Sequence, residues 1–516
     1  MVSRTRNIYT IMLFFILLAC YTYFRPSHNS ATDTRADVVY SLVEDNTLII
    51  DRYEKNTGDK AFFEGHYYTD KSIGPSVIAL PAYVAFRAFA SLPPVRKQLQ
   101  KDTSLAFKDE LANEPLGTYA NWALTVMTFF GAVLPSVFLG ILVFFFVNRF
   151  TSTPFYAFVL AIAFGLCTIA FTYSKGLFQH QLASFGLFGG FYFLWTVIYE
   201  NKSVQRLWLV GFLFSLAIIS EYPMVLFVGA IGLWALIVMK DRKAIFHVVI
   251  GSLPLLLINI IYDVATFRSV IPLGYQYSLW SSLVNVHGFM GIGLPSLKVM
   301  GELLFGTFRG LFLISPFLIF VVPGLIMMWK QKPQQHSLVI LISVIILGFL
   351  TYGSGYIVWW GGYSVGARLL TPMLPFMVVP IIFVLNRWFG HSIGCLVISL
   401  LILAGLLNTW TQSISESGLP NDAPPQLLTA YANDDLEYNR HIIMLVNQGI
   451  TVNPLLDFGI PSLVKGDVAY NYGRAFKLRG VLSLLPLIVC VGLILVIGWY
   501  YLSRENKKLA IRPVLT

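Results

Sequence analysis

The sequence predicts an all-α polytopic membrane protein, and three observations lead to this prediction. Hydrophobic residues make up 56% of the 516 residues and charged residues only 12%, which is about half of the charged fraction usual in a soluble domain. Apolar runs recur from Asn7 to Tyr501, each long enough to cross a bilayer as a helix. The runs are continuous rather than alternating, so we expect helices and not a β-barrel.

Basic residues predict how the chain threads through the membrane. Arg4 and Arg6 precede the first run, Asn7–Phe24, which lacks a signal-peptide cleavage site and is expected to remain as the first helix. Later basic residues fall in every second short connection: Arg149, Lys202 and Arg206, Lys240 to Lys243, Lys330 and Lys332, Arg387, and Arg504 with Lys507 and Lys508. The positive-inside rule places these connections and both termini in the cytoplasm. Counting the apolar runs between them predicts about twelve spans. We expect the protein in the inner or plasma membrane of the cell.

The same alternation constrains the apolar segment Ile73–Leu92. A full span there would reverse every later loop, so we expect a helix that lies at or dips into the outer membrane surface, with the next span at about Tyr119–Val147. The expected organisation is a membrane region at 1–410 with a first outer loop at 26–118. An outer loop at 411–479, a possible cap for the acceptor, and a last helix with a basic cytoplasmic tail at 480–516 follow it.

The first outer loop concentrates polar residues that suit phosphate chemistry. The stretch DTRADVVYSLVEDNTLIIDRY predicts an amphipathic helix along the membrane face, with Thr32 or Asp33 as its N-cap. Arg and Lys are the usual partners of phosphate oxygens, and a carboxylate is a usable general base. Five residues would converge where a lipid headgroup lies: Asp33, Arg35, Asp37, Asp70 and Lys71. The alternative is that they are ordinary solvated loop charges.

Two motifs lie in the predicted outer loops. The acidic-Thr-Arg motif Asp33-Thr34-Arg35 precedes a G-x-x-Y-x-x-K-x-x-G-P element formed by Gly65, Tyr68, Lys71, Gly74 and Pro75. The second motif is the segment Trp359–Phe376, WWGGYSVGARLLTPMLPF. The first motif resembles the first outer loop of GT-C membrane glycosyltransferases, in particular protein O-mannosyltransferases and the bacterial transferases that add aminoarabinose to lipid A. The second is similar to the W-W-x-G-G-x-x-x-G-x-R-x-x-x-P-x-x-P segment of bacterial members of that superfamily.

The resemblance implies a sugar donor built on polyprenyl phosphate and transfer with inversion on the outer face. The acceptor would be a lipid, a polysaccharide or a protein. In this interpretation Arg35 and Lys71 hold the phosphate, Asp70 is the acid beside the lysine, and Asp33 is the base. The family's acidic pair is often Asp-Glu, whereas Thr32-Asp33 stands here, so Asp37 is a rival for the base.

Further candidates for donor or acceptor contacts lie at other predicted helix ends. His180 stands near the position where family members commonly have an Asp, and Glu221 directly follows an apolar run. Arg368 is a second candidate for phosphate, or else a snorkelling cation. The remaining candidates for substrate contact are His66, Tyr68, Trp360 and Tyr363, for which hydrogen-bonded loop or aromatic-belt roles are the alternatives.

Several classes of protein and site are disfavoured. The sequence has no phosphate loop, no Rossmann glycine pattern and no paired Cys or His with zinc spacing. No metal site is expected, although a divalent cation between an Asp and the phosphate is compatible with the pattern. The excess of 36 Lys and Arg over 26 Asp and Glu follows topology, so the expected partners are membrane lipids and not nucleic acid. A transporter or lipid flippase and a non-catalytic envelope assembly factor stay as alternatives.

Overall fold

The computed structural model describes residues 2–101, 103–113, 116–271, 274–279, 290–331, 335–362, 364–415 and 453–511, which are mostly helical. Much of the predicted 411–479 loop, residues 416–452, lies outside them. The helices, in chain order, are α1 Val2–Thr22, α2 Ser30–Glu44, α3 Gly74–Ala90, α4 Pro93–Leu99, α5 Phe107–Glu110, α6 Thr118–Thr128, α7 Leu134–Val147, α8 Pro154–Leu166, α9 Ala170–Ser174, α10 Gln179–Tyr199, α11 Arg206–Ser220, α12 Met224–Val238, α13 Ile245–Phe267, α14 Gly274–Tyr277, α15 Leu297–Phe305, α16 Leu311–Ile314, α17 Val321–Trp329, α18 His336–Gly355, α19 Leu374–Trp388, α20 Ser392–Ile414, α21 Ile460–Lys465 and α22 Leu485–Ile511.

Eight helical segments in the described part of the chain are long and apolar enough to cross a membrane. They are Arg4–Thr22, Thr118–Phe150, Gln179–Tyr199, Arg242–Phe267, His336–Gly355, Arg368–Trp388, Ser392–Ile414 and Gly480–Glu505. The prediction of an all-α polytopic membrane protein is thus confirmed, whereas the number twelve stays a prediction. Four shorter apolar helices accompany them: Pro154–Leu166, Arg206–Ser220, Met224–Val238 and Pro316–Trp329.

Burial differs sharply among the long segments. In Arg368–Trp388, 94% of the most apolar stretch of the helix is buried inside the protein. The corresponding fraction is 11% in Gly480–Glu505 and 17% in Ser392–Ile414. An apolar helix that is exposed on most sides requires a lipid environment. Arg368–Trp388 is therefore the centre of the bundle, and the other two lie at its periphery.

Helices α10, α11 and α13 pack closely because glycines occupy their contacts. A Cβ atom on Gly186 of α10 would lie 2.5 Å from the carbonyl oxygen of Leu213 in α11, and one on Gly211 of α11 would lie 2.0 Å from that of Val248 in α13. Only glycine permits backbones to approach so closely, as is typical of helix pairs in membranes. This packing fixes the junction between α11 and α12 next to the start of α10.

The segment α3–α4 bends by 100° between its two helices. Leu92 is extended before Pro93, and proline at the first position of α4 disfavours a continuous helix through that point. Within this described segment, the helix that covers most of Ile73–Leu92 therefore does not continue straight into α4. Its placement at the membrane surface stays a prediction.

Contacts between connections define two ends of the bundle. At one end Glu200 pairs with Arg149, and the amide of Asn386 donates to the carbonyl oxygen of Phe150 at 2.8 Å. At the other end Lys175 Nζ donates to the carbonyl oxygen of Ser413 at 2.6 Å. The second end also carries α2, the hairpin and the loop before Arg368, and we call it the site end.

The N-terminal part of the first loop folds differently from the surface helix expected. Helix α2 is capped by Asn29, not by Thr32 or Asp33, because the Asn29 side chain accepts from the backbone of Thr32 and the Thr32 hydroxyl accepts in return from the backbone of Asn29. Residues 32–41 are buried rather than spread along the membrane face. The expectation of a surface helix is wrong, since α2 packs against α3 and the hairpin, where Ser76 Oγ donates to the carbonyl oxygen of Arg35 at 2.9 Å.

A β-hairpin follows α2. Strands β1 Lys60–Phe63 and β2 His66–Thr69 pair antiparallel. Glu64 and Gly65 both have positive φ, 50° and 89°, as a two-residue type I′ turn requires. The hydroxyl of Thr34 donates to that of Thr69 at 2.8 Å, which joins the end of β2 to α2.

Candidate functional site

The chain after β2 brings Lys71 to the junction between α11 and α12. A Cβ atom on Gly74 would lie 2.3 Å from the hydroxyl and 2.7 Å from the Cα of Ser220, so glycine is needed for this approach. The hydroxyl of Ser72 also donates to the carbonyl oxygen of Ser220. Glu221 comes next in the chain, and the Gly74-Pro75 step of the motif therefore brings the first loop to this membrane-helix end.

Lys71 is held by two carboxylates and an aromatic ring. Its Nζ lies 3.1 Å from Asp70 Oδ2 and 3.4 Å from Asp59 Oδ1, and 5.4 Å from the ring centre of Tyr275. The hydroxyl of Ser278 donates to Asp70 Oδ2 at 2.7 Å. The other oxygen of Asp70, Oδ1, is buried and has no hydrogen-bond partner among the described residues.

Opposite charges keep Lys71 protonated despite its burial. Burial alone lowers the pKa of Lys71, but Asp59 and Asp70 outweigh it, and the pKa lies above its ordinary value. Burial raises the pKa of Asp70, against the attraction of Lys71. A fixed, protonated amine at this position is suited to an anionic ligand.

Arg35 joins α2 to the start of α10. The side chain is 1% exposed, and its terminal nitrogens donate to the carbonyl oxygen of Ala31 and to the side-chain oxygen of Gln179. Its Nε has no hydrogen-bond partner among the described residues. Burial lowers the pKa of Arg35, and Asp59 and Asp70 oppose that shift, so the guanidinium remains charged.

Arg368, at the end of the loop at 356–368, lies near Arg35. It interacts electrostatically with Arg35 and with Tyr356. Gly361 and Gly362 have φ values of 79° and 65°, and a Cβ on Gly361 would lie 2.8 Å from Arg368 Cγ. The two glycines thus make the turn across which Arg368 packs.

Buried Arg309 supports this turn. Its Nε donates to the carbonyl oxygen of Trp360 at 3.1 Å, and its Nη2 to that of Gly362 at 3.3 Å. Trp360 has 0% exposure, so its ring is not accessible for stacking on a sugar, and it supports the loop instead. Tyr363 lies outside the described residues.

His180 and Glu221 form a buried pair beside these cations. His180 Nδ1 lies 3.3 Å from Glu221 Oε1, with side-chain exposures of 0% and 7%. The pair is within electrostatic range of Arg35 and Arg368. Both ring nitrogens of His180 and Glu221 Oε2 are buried with no hydrogen-bond partner among the described residues.

The side chains just described meet at one place, which we call the site cluster. Its members are Arg35, Asp59, Asp70, Lys71, His180, Glu221, Tyr275 and Arg368. Sequence reasoning predicted all of these except Asp59 and Tyr275. Asp59 and Tyr275 both lie outside the two motifs, so their polarity was the only signal in the sequence.

Asp33 and Asp37 lie on a different face of α2 from Arg35. Residues two apart on a helix point about 200° apart, whereas residues four apart share a face. Asp33 Oδ1 lies 2.8 Å from His28 Nδ1, and Asp37 Oδ1 accepts from the amide of Asn56 at 2.9 Å. Helix geometry thus separates the two candidate bases from the side of α2 that carries Arg35.

Tyr68 and His66 occupy the hairpin. Tyr68 is 8% exposed, and its ring centre lies 5.5 Å from that of Phe267. His66 is exposed next to the turn, where its Nδ1 lies 2.8 Å from Asp51 Oδ2. These contacts give Tyr68 a packing role and place His66 at the solvent-facing tip.

Asp37 supplies a pH-dependent prediction. Burial raises its pKa well above the ordinary value, and Asp33 raises it further. A raised folded-state pKa means that the folded protein binds this proton more tightly than the unfolded chain. Its stabilisation is complete below the ordinary Asp pKa and is lost as the pH rises through the raised value. We expect Asp37→Asn to flatten the decline of the unfolding temperature with rising pH.

Thermal unfolding of both proteins across the pH range measures this effect. The control is Asp51→Asn, an exposed carboxylate beside His66. An Asp37→Asn variant with the wild-type pH dependence would contradict the prediction.

No group of three His, Cys, Asp or Glu side chains in the described part of the chain is arranged to hold a metal ion. In comparisons with known proteins, no family model matches the chain, and no curated protein does either. The fold and the site therefore define a class only: a polytopic helical membrane protein with a cluster that joins three cations to three carboxylates at one end.

Proposed function

We propose that the protein is a GT-C-type glycosyltransferase that moves a sugar from a polyprenyl-phosphate donor to an acceptor on the outer face of the membrane. The observation that supports this most is the meeting of Arg35, Lys71 and Arg368. These residues come from α2, the end of the hairpin and the loop at 356–368. The two motifs that resemble the superfamily supply all three cations.

The chemistry requires fixed positive charge. As the bond between the sugar and the phosphate breaks, negative charge develops on the departing phosphate oxygen. Arg35 is buried, and Lys71 has a side chain only 14% exposed, so both act where water screens them weakly. Asp59 and Asp70 hold the Lys71 amine in place for the phosphate.

The threading of the chain supports an extracytoplasmic site in an inner or plasma membrane. If the four shorter apolar helices also cross the membrane, they and the eight long segments would give the twelve spans that the sequence predicts. The basic connection at Arg149 and the contact of Asn386 with Phe150 lie at the end opposite the site. With the positive-inside rule, that end and both termini are cytoplasmic.

The test is sugar transfer by the purified full-length protein in liposomes. Tritiated mannosyl-, glucosyl-, galactosyl- and aminoarabinosyl-phosphoryl undecaprenol are supplied one at a time. A membrane extract containing lipids, polysaccharides and proteins is the acceptor. We expect one donor to give labelled product. A folded protein that neither binds nor uses any donor overturns the proposal, and lipid flipping in the same liposomes then tests the transporter alternative.

A further inference from the structure

We propose that His180 and Glu221 are a proton-accepting pair that activates an acceptor hydroxyl, with His180 Nε2 as the atom that takes the proton. This inference rests on the proposed function and assigns the base to the membrane-helix side of the site. Asp33 and Asp37 of α2 are the rival bases.

The geometry of the pair fits this role. Glu221 Oε1 lies 3.3 Å from His180 Nδ1, within ion-pair distance but without hydrogen-bond geometry, and the negative charge of the carboxylate favours a ring proton on Nδ1. The opposite ring nitrogen, Nε2, is then a lone-pair acceptor. Hydrogen bonds of catalytic pairs are often long without substrate and shorten when it binds.

A purely structural pair would satisfy its polar atoms inside the protein. Both side chains are buried, yet both ring nitrogens of His180 and Glu221 Oε2 lack hydrogen-bond partners among the described residues. Buried polar atoms are almost always bonded, so unpartnered polar atoms on both members of the pair point to a polar ligand. A substrate hydroxyl supplies the proton that Nε2 can accept.

The position of the pair relative to the cations also fits. His180 follows Gln179, to which Arg35 donates, and Glu221 follows Ser220, to which Ser72 donates. The charged groups facing His180 are Glu221, Arg35 and Arg368. A hydroxyl deprotonated here would lie beside the phosphate of a donor held by the cations.

In the proposed step, one bond to the anomeric carbon of the sugar forms while another breaks. The acceptor oxygen forms a bond to the anomeric carbon as its proton passes to His180 Nε2. The bond between that carbon and the phosphate oxygen breaks, and its electron pair leaves with the polyprenyl phosphate. Glu221 stabilises the imidazolium that forms, and the proton is later released to the phosphate or to water.

The experiment uses the full-length protein in liposomes with the donor selected by the panel. We expect His180→Gln to lower kcat about 100-fold or more, with the donor KM changed less than about threefold. We expect Glu221→Gln to lower kcat about tenfold or more. Without the carboxylate the imidazolium is less stable, so the acid limb of the kcat profile between about pH 5 and pH 9 moves to lower pH.

A matched control is Glu200→Gln. Glu200 belongs to the opposite end of α10, pairs with Arg149 and lies far from the site cluster along the helix. We expect its kcat and pH profile to equal those of the wild type. Glu221→Asp retains a carboxylate and should recover part of the activity with a displaced acid limb.

The outcomes separate the two proposals. An active wild type together with a His180→Gln variant of nearly wild-type kcat overturns the proton-accepting pair and leaves the glycosyltransferase standing. Variants that lose kcat but keep the wild-type pH profile also overturn it, since a positioning role alone explains that result. If His180→Gln does not fold, Glu221→Asp decides by its acid limb. A wild type inactive with every donor overturns both proposals.

Discussion

Replacing Arg35 with Met is expected to lower kcat/KM for sugar transfer about 1000-fold, because a preorganised charge that stabilises a developing anion contributes on this scale. Arg35 is 1% exposed and is held by Ala31 and Gln179. Because Arg35 is buried, water has little access to take over the role of its charge. Methionine has a similar length but no charge. The measurement is initial-rate transfer from the selected donor, with donor binding in parallel.

Two further variants test the reason for this loss. Arg52→Met removes an exposed arginine of the same loop, paired with Asp45 and Asp109, and should leave transfer within about twofold of wild type because exposed pairs contribute little. Arg35→Lys keeps the charge but loses the planar fork, so it should recover only part of the activity. Normal turnover in a folded Arg35→Met protein would remove the phosphate-binding role of α2.

The sequence predicts the fold class and the members of the cation cluster well, for identifiable reasons. Continuous apolar runs satisfy their backbone hydrogen bonds in a membrane by forming helices, so the helical fold class follows directly from them. Arg35, Lys71 and Arg368 lie in local motifs whose glycines have local geometric roles. Gly74 permits contact with Ser220, and Gly361 makes the turn under Arg368.

The contacts that complete the cluster depend on tertiary structure and were not predictable. Ser278 donates to Asp70, which lies 208 positions earlier in the sequence. The spacing of hydrophobic residues along the chain does not predict such a distant contact. The burial of α2 was missed because its polar residues indicate a surface helix, whereas they are satisfied by buried partners such as Asn56. The cap was missed because Asn29 precedes the stretch that shows helical spacing.

The choice of base shows the same limit. A motif places Asp33 near Arg35 in sequence, but helical geometry separates their side chains by about 200° around the axis. His180 and Glu221 are 41 positions apart in the sequence, and they meet at the ends of α10 and α11, which pack closely at Gly186. A site built from helix ends is visible only after the helices are packed.

Replacing Lys71 with Met is expected both to abolish transfer and to destabilise the protein. The amine is paired with Asp70, a buried carboxylate, and with Asp59. Removing one partner of a buried pair leaves the other charge uncompensated, at a cost of about 3 kcal/mol. We expect this loss in the free energy of unfolding, measured in detergent, and a loss of transfer of about 100-fold or more.

The double variant Lys71→Met/Asp70→Asn separates the two effects. Asn at position 70 still accepts the hydrogen bond from Ser278 but carries no charge, so most of the lost stability should return. Transfer should remain abolished, because the cation that stabilises the leaving phosphate is still missing. If stability and transfer return together, Lys71 only maintains the fold of the loop. If stability returns alone, the Lys71 amine acts on the substrate itself, and Asp70 is retained to keep that amine charged and in place.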